Sequence, residues 1–113
     1  MEVLGIVGTR NPKIPFEEFC KFLKGYNPDL IVSGGAKGID SYAEEYARMK
    51  AIPVKIFLPE YSKYGKSATF IRNQQIIDSA TRLIAFPSIE SKGTYDSIRR
   101  AERSNKEIKI IQI

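Results

Sequence analysis

Apolar positions fall along this chain in two rhythms that alternate. Short runs rich in β-branched residues stand at 3–7, 30–32, 52–58, 82–86 and 108–113, and between them apolar residues recur every three or four positions. The short runs have the length and composition of strands, and the spaced stretches those of helices with one buried face. The first predicted helix takes Pro15 into its first turn, turns Phe16, Phe19, Cys20 and Leu23 inward, and ends at Gly25 and Pro28. In the second, Ile39, Tyr42, Ala43, Tyr46 and Ala47 follow the i, i+3, i+4, i+7, i+8 spacing. A third runs from Ser67 through Ile71, Ile76, Ile77 and Ala80, and a fourth from about Thr94 to Ser104. Residues 8–12, 59–66 and 87–94 are rich in turn formers and read as loops, while Pro53 suits the start of an edge strand.

Five strands alternating with four helices predict an α/β fold: a Rossmann-like, doubly wound parallel sheet in the order 3-2-1-4-5, with helices on both faces. In open sheets of this type the ligand sits beyond the C-terminal strand ends, where the strand order reverses. Here that is between strands one and four, so the loops after strands one, two and four are expected to converge on one crevice. No repeat, linker or low-complexity segment interrupts the chain, and residues 1–113 are expected to form one domain.

Composition narrows the chemistry. An apolar content of 42% with 27% charged residues is that of a soluble globular protein, and no apolar run reaches the roughly 18–20 residues of a membrane span. The start of the chain lacks the basic, cleavable pattern of a secretory signal, so a cytoplasmic protein without membrane contact is expected. Cys20 is the sole cysteine and histidine is absent, which excludes an intrachain disulfide, a His/Cys zinc set and histidine general-base catalysis. No metal or cofactor is expected, and Cys20 is read as a core residue. The net charge of +5 favours anionic partners without distinguishing a nucleotide from a nucleic acid.

The densest chemistry lies at Ser33-Gly34-Gly35-Ala36-Lys37-Gly38-Ile39-Asp40, a strand that breaks into glycines and enters a helix. Glycines leave no Cβ in the way of a ligand, and the first helical turn offers unpaired N–H groups and a partial positive charge, worth about 0.3–1 kcal/mol to an exposed anion. Lys37 would add a full charge. Such a turn suits a phosphate, although glycine in a strand-to-helix connection also serves tight packing alone.

Together with that segment, Gly8-Thr9-Arg10, Lys63-Tyr64-Gly65-Lys66, Arg72-Asn73 and Ser91-Lys92-Gly93-Thr94 resemble the SLOG superfamily, which groups the Smf or DNA-processing A proteins with the "lonely guy" phosphoribohydrolases. The likeness is nearest to the small stand-alone YspA/YpsA-related branch and spans almost the whole chain. It implies a Rossmann-like domain that binds a nucleotide or phosphorylated nucleoside derivative, as a homodimer. In residue terms, the amides of Gly34, Gly35 and Gly93 can approach phosphate oxygens, and the hydroxyls of Thr9, Ser33 and Thr94 can donate to them. Arg10 or Arg72 can clamp a phosphate, and Gly8, Asn73 and Ser91 join the set through their motifs. Asp40 either holds the glycine turn in shape or contacts a ribose or base. A second reading is N-glycosidic hydrolysis, but Ser97 stands where the lonely-guy motif carries its glutamate, leaving Glu90 and Asp96 as the remaining catalytic candidates. A third is single-stranded DNA binding of the Smf type, through phosphate contacts and base stacking.

Overall fold

A computed structural model describes residues 1–113. Five strands, β1 (Val3–Gly8), β2 (Leu30–Ser33), β3 (Val54–Ile56), β4 (Arg82–Phe86) and β5 (Glu107–Ile110), form one sheet in the order β3-β2-β1-β4-β5. Every pairing is parallel, as the alternation with helices requires. β1 is central, pairing Val3 with Leu30 on one side and Leu4 with Arg82 on the other.

The alternation of side chains along β1 builds a core on each face. Leu4 and Ile6 point into a cluster with Phe19 and Leu23 of α1 (Phe16–Phe22) and its cap, and with Ile39, Ala43, Tyr46 and Ala47 of α2 (Ile39–Met49). Val3 and Val7 point the other way, toward Ile76 and Ile77 of α4 (Ala68–Ser79) and Ile98 and Ala101 of α5 (Lys92–Arg103). Cys20 packs half-buried against the first cluster. The first cluster is aromatic: the Phe19 ring lies 5.0 Å from that of Phe86 and 5.4 Å from that of Tyr42.

Three boundaries differ from those the sequence predicts. Residues 59–66, predicted as a loop, contain the single-turn helix α3 (Tyr61–Tyr64), closed by the N–H groups of Lys63 and Tyr64 on the Glu60 carbonyl, and a 3-10 turn (Gly65–Ser67) leads on into α4. The chain therefore has five α-helices where four were expected. β3 spans three residues and starts two later than predicted, because Ile52 donates its N–H to Ala47 at the end of α2 and Pro53 has none to give. α5 begins at Lys92, so Gly93 and Thr94 belong to a helical first turn and not to the preceding loop. No helix is long and apolar enough to cross a membrane.

Candidate anion-binding crevice

The end of β1 and the start of α2 are built as one junction. Gly38 has φ +78°, and a Cβ there would lie 2.4 Å from the Thr9 carbonyl oxygen. This closeness lets Ile39 donate its N–H to that carbonyl at 3.0 Å, which uses one of the unpaired donors of the α2 N-terminus. A Cβ at Gly8 would stand 2.6 Å from the Ile39 side chain. The glycines before α2 are engaged by the protein through other atoms, while their N–H groups meet no protein acceptor. Arg72 Nη1 donates to the Gly34 carbonyl at 2.7 Å, and Gly35, with φ +72°, backs onto Ile56 and Leu58. Ala36 donates its N–H to Asp40 Oδ2 at 3.1 Å.

Behind Arg72 runs a chain of polar contacts that links α5 and α4 to this turn. Arg100 Nε donates to Asp96 Oδ2 at 2.8 Å, Asn73 Nδ2 donates to the same oxygen at 3.0 Å, and Arg72 Nε donates to Asn73 Oδ1 at 3.1 Å. Burial works to raise the Asp96 pKa, but the hydrogen bonds from Asn73 and Arg100 and the arginine charges outweigh it and hold the carboxyl below its ordinary value. For Arg72, burial lowers the pKa, with the Arg10 charge acting the same way and Asp40 opposing. Asn73 thus spends both ends of its amide inside the protein. Asp96, a catalytic candidate in the sequence, is a buried anchor that lies off the crevice wall.

The first turn of α5 likewise leaves donors free, here beside a cluster of hydroxyls. Neither Gly93 nor Thr94 gives its N–H to any protein acceptor, and a Cβ at Gly93 would meet nothing within 4 Å. Beside them, Ser88 Oγ donates to Thr9 Oγ1 at 3.0 Å and lies 2.8 Å from Ser91 Oγ. Thr9 is itself fixed by β4, its N–H reaching the Phe86 carbonyl at 3.0 Å. Ser88 does not appear in the sequence motifs; its place directly after the β4 apolar run and Pro87 is the only signal that could have found it.

These elements wall a crevice of about 710 Å³ beyond the C-terminal ends of β1 and β4, a size usual for small-molecule sites. Of the candidate site residues in the sequence, Gly8, Thr9, Arg10, Gly34, Asp40, Arg72, Asn73, Ser91, Gly93 and Thr94 line it, as do Glu90 and Ser97. Ser33, Gly35 and Lys37 do not: Ser33 is fully buried, Gly35 faces β3, and Lys37 stands in solvent. Lys13, Lys92, Phe70 and Ile89 also line the crevice. Four cations, Arg10, Lys13, Arg72 and Lys92, face two carboxylates, Asp40 and Glu90. Asp40 is 7% exposed, and burial pushes its pKa up against the opposing Ala36 hydrogen bond, the nearby Ser33 hydroxyl and the Arg72 charge. The Ser33 hydroxyl is close enough to favour the Asp40 charge, yet no partner meets it at regular hydrogen-bond geometry.

Fold and crevice together define a Rossmann-like α/β domain with a cationic cleft at the point where the strand order reverses. Among solved structures the chain is similar to DNA processing protein A from Helicobacter pylori, in a study of that protein's single-stranded DNA binding mode. The TM-score is 0.74 at 21% sequence identity over 96% of this chain, and the likeness is one of fold. The chain spans 64% of the length of that protein. No protein-family model and no curated protein matches the sequence.

Proposed function

We propose that the crevice binds a nucleotide or a phosphorylated nucleoside derivative, with its phosphate against the first turn of α5 and not at the glycine turn after β2. One observation carries this reading: the unpaired N–H groups of Gly93 and Thr94 lie beside the hydroxyls of Thr9, Ser88 and Ser91, in a cleft with a surplus of positive charge. Amides of a helix N-terminus and rotatable hydroxyls are the donors a phosphate needs, and hydrogen bonds to a charged group contribute about 1.5–3 kcal/mol each. Arg10 and Lys92, both exposed on the crevice wall, add charge without a carboxylate partner of their own. Phe70, 48% exposed on the same wall, offers a flat apolar surface to the base.

Calorimetric titration with the four common ribonucleoside 5′-monophosphates and with inorganic phosphate tests the reading. Binding of at least one nucleotide is expected, and Gly93→Val should weaken it tenfold or more while leaving the apparent melting temperature unchanged, because the new side chain fills open space. Undiminished affinity in that variant would remove the α5 cradle. Chromatography of the mixture is expected to return intact nucleotide, since Ser97 Oγ points back to the Gly93 carbonyl at 3.4 Å and no carboxylate stands in its place. Release of free base would instead assign hydrolysis and make Glu90 the residue to replace.

Single-stranded DNA is the second reading. The half-exposed Phe70, lining the same crevice as Arg10, Lys13 and Lys92, supplies the combination of stacking platform and phosphate contacts that such binding uses, and the protein of like fold was studied for binding single-stranded DNA.

A further inference from the structure

One crevice residue has a polar atom that the protein leaves unanswered. Asp40 is more than nine-tenths buried, and its Oδ2 accepts from Ala36, but Oδ1 has no hydrogen-bond partner in the protein. That oxygen is not among the atoms sealed from solvent, and the residue lines the crevice. Ser33 holds the one hydroxyl near it, which is fully buried, off the crevice wall and out of bonding geometry. A carboxylate oxygen with no protein donor and little contact with solvent is short of hydrogen bonds that a suitable ligand supplies.

The chemistry of that ligand follows from the sign of the group. A phosphate oxygen, an acceptor with negative charge, is repelled by a carboxylate and belongs with the donors at Gly93 and Thr94. Asp40 needs a neutral donor. The crevice is therefore polarised, with donors at the α5 end and an acceptor at the α2 end, and a nucleotide has the complementary order of phosphate and then sugar hydroxyls.

We infer that Asp40 accepts a hydrogen bond from the ribose hydroxyl edge of the bound nucleotide, so that the crevice selects ribonucleotides over their deoxy counterparts. This rests on the nucleotide reading above. A site built to receive a hydroxyl discriminates strongly against a ligand that lacks it, because the buried acceptor is then left without a partner. Glu90 is exposed where Asp40 is more than nine-tenths buried, so it offers weaker selection.

The test compares a ribonucleoside 5′-monophosphate with its 2′-deoxy and 3′-deoxy forms on the wild-type protein by calorimetry. Removing one of the two hydroxyls is expected to lower affinity at least tenfold, about 1.4 kcal/mol. In Asp40→Asn the amide oxygen can keep the Ala36 contact, and the ribo and deoxy affinities should come within threefold of each other, mainly through weaker ribonucleotide binding. Equal loss for both ligands would mean that Asp40 only shapes the turn and would overturn the inference. Equal wild-type affinity for all three ligands also overturns it, while leaving the α5 phosphate cradle intact. Absence of binding by any of them defeats cradle and inference together. The wild-type comparison decides the matter even where the variant does not fold.

Discussion

At position 38 a side chain has nowhere to go. The backbone is in a positive-φ conformation, and a Cβ would fall within 2.6 Å of both the Thr9 carbonyl oxygen and the Arg10 backbone. Gly38→Ala should therefore destabilise the fold by about 1–3 kcal/mol through strain alone, and more if the Ile39 to Thr9 hydrogen bond is lost; urea denaturation measures it. Gly93→Val is the contrasting case, with open space to receive it. Glycine in this sequence signals special positions without saying which kind. The glycine pair at 34 and 35 reads as a ligand seat, and its N–H groups meet no protein acceptor, yet the carbonyl of the first is bonded to Arg72 and the second packs on Ile56 and Leu58. Which glycines face a cavity and which face a neighbouring element depends on tertiary approach, and no local pattern encodes that.

The helices carry the same lesson one level up. Helical periodicity located α1, α2, α4 and α5 within a few residues, yet α5 begins at Lys92, early enough that Gly93 and Thr94 become its free first-turn donors. Helix starts are poorly legible because they depend on capping partners, and Ser91 at this cap turns its hydroxyl to Ser88 and not to its own helix. The Arg72-Asn73 pair was legible as a motif but not as a brace, since its partners Asp96 and Arg100 lie in another helix. Asp96→Asn should weaken this α4 to α5 link by about 1.5–3 kcal/mol at neutral pH. The sign with pH follows from the lowered Asp96 pKa. Its contribution is complete above the ordinary aspartate value of about 3.9 and is lost as the pH falls through the lower folded value. Denaturation midpoints of wild type and variant should therefore converge in acid, and a constant difference down to the lowest pH would contradict the brace. Asp40 acts in the opposite sense: with its pKa raised, its contribution declines as the pH rises from the ordinary value to the folded one.

For the molecule as a whole, strand order and layering were the most legible features. Parallel strands joined by right-handed crossovers leave few arrangements, and the observed order β3-β2-β1-β4-β5 is the one the alternation predicts. The convergence of loops after β1, β2 and β4 on one crevice follows from it. Whether that crevice takes one nucleotide or a strand is a question of how many phosphates the surface meets, and salt answers it. A mononucleotide held in the crevice should show a shallow dependence of affinity on salt. An oligodeoxynucleotide tracking Arg10, Lys13 and Lys92 should show a log–log slope of about −0.7 for each phosphate neutralised. Fluorescence anisotropy over a salt series with both ligands separates the two.

The two sides of the sheet are held by different forces. On the α1 and α2 side, aromatic rings around Phe19 make an apolar contact that rests on no carboxylate. On the α4 and α5 side, the link through Asp96 depends on a carboxylate keeping its charge. Acidification should thus loosen the protein asymmetrically, freeing the pair of helices that frames the crevice while the opposite layer stays docked.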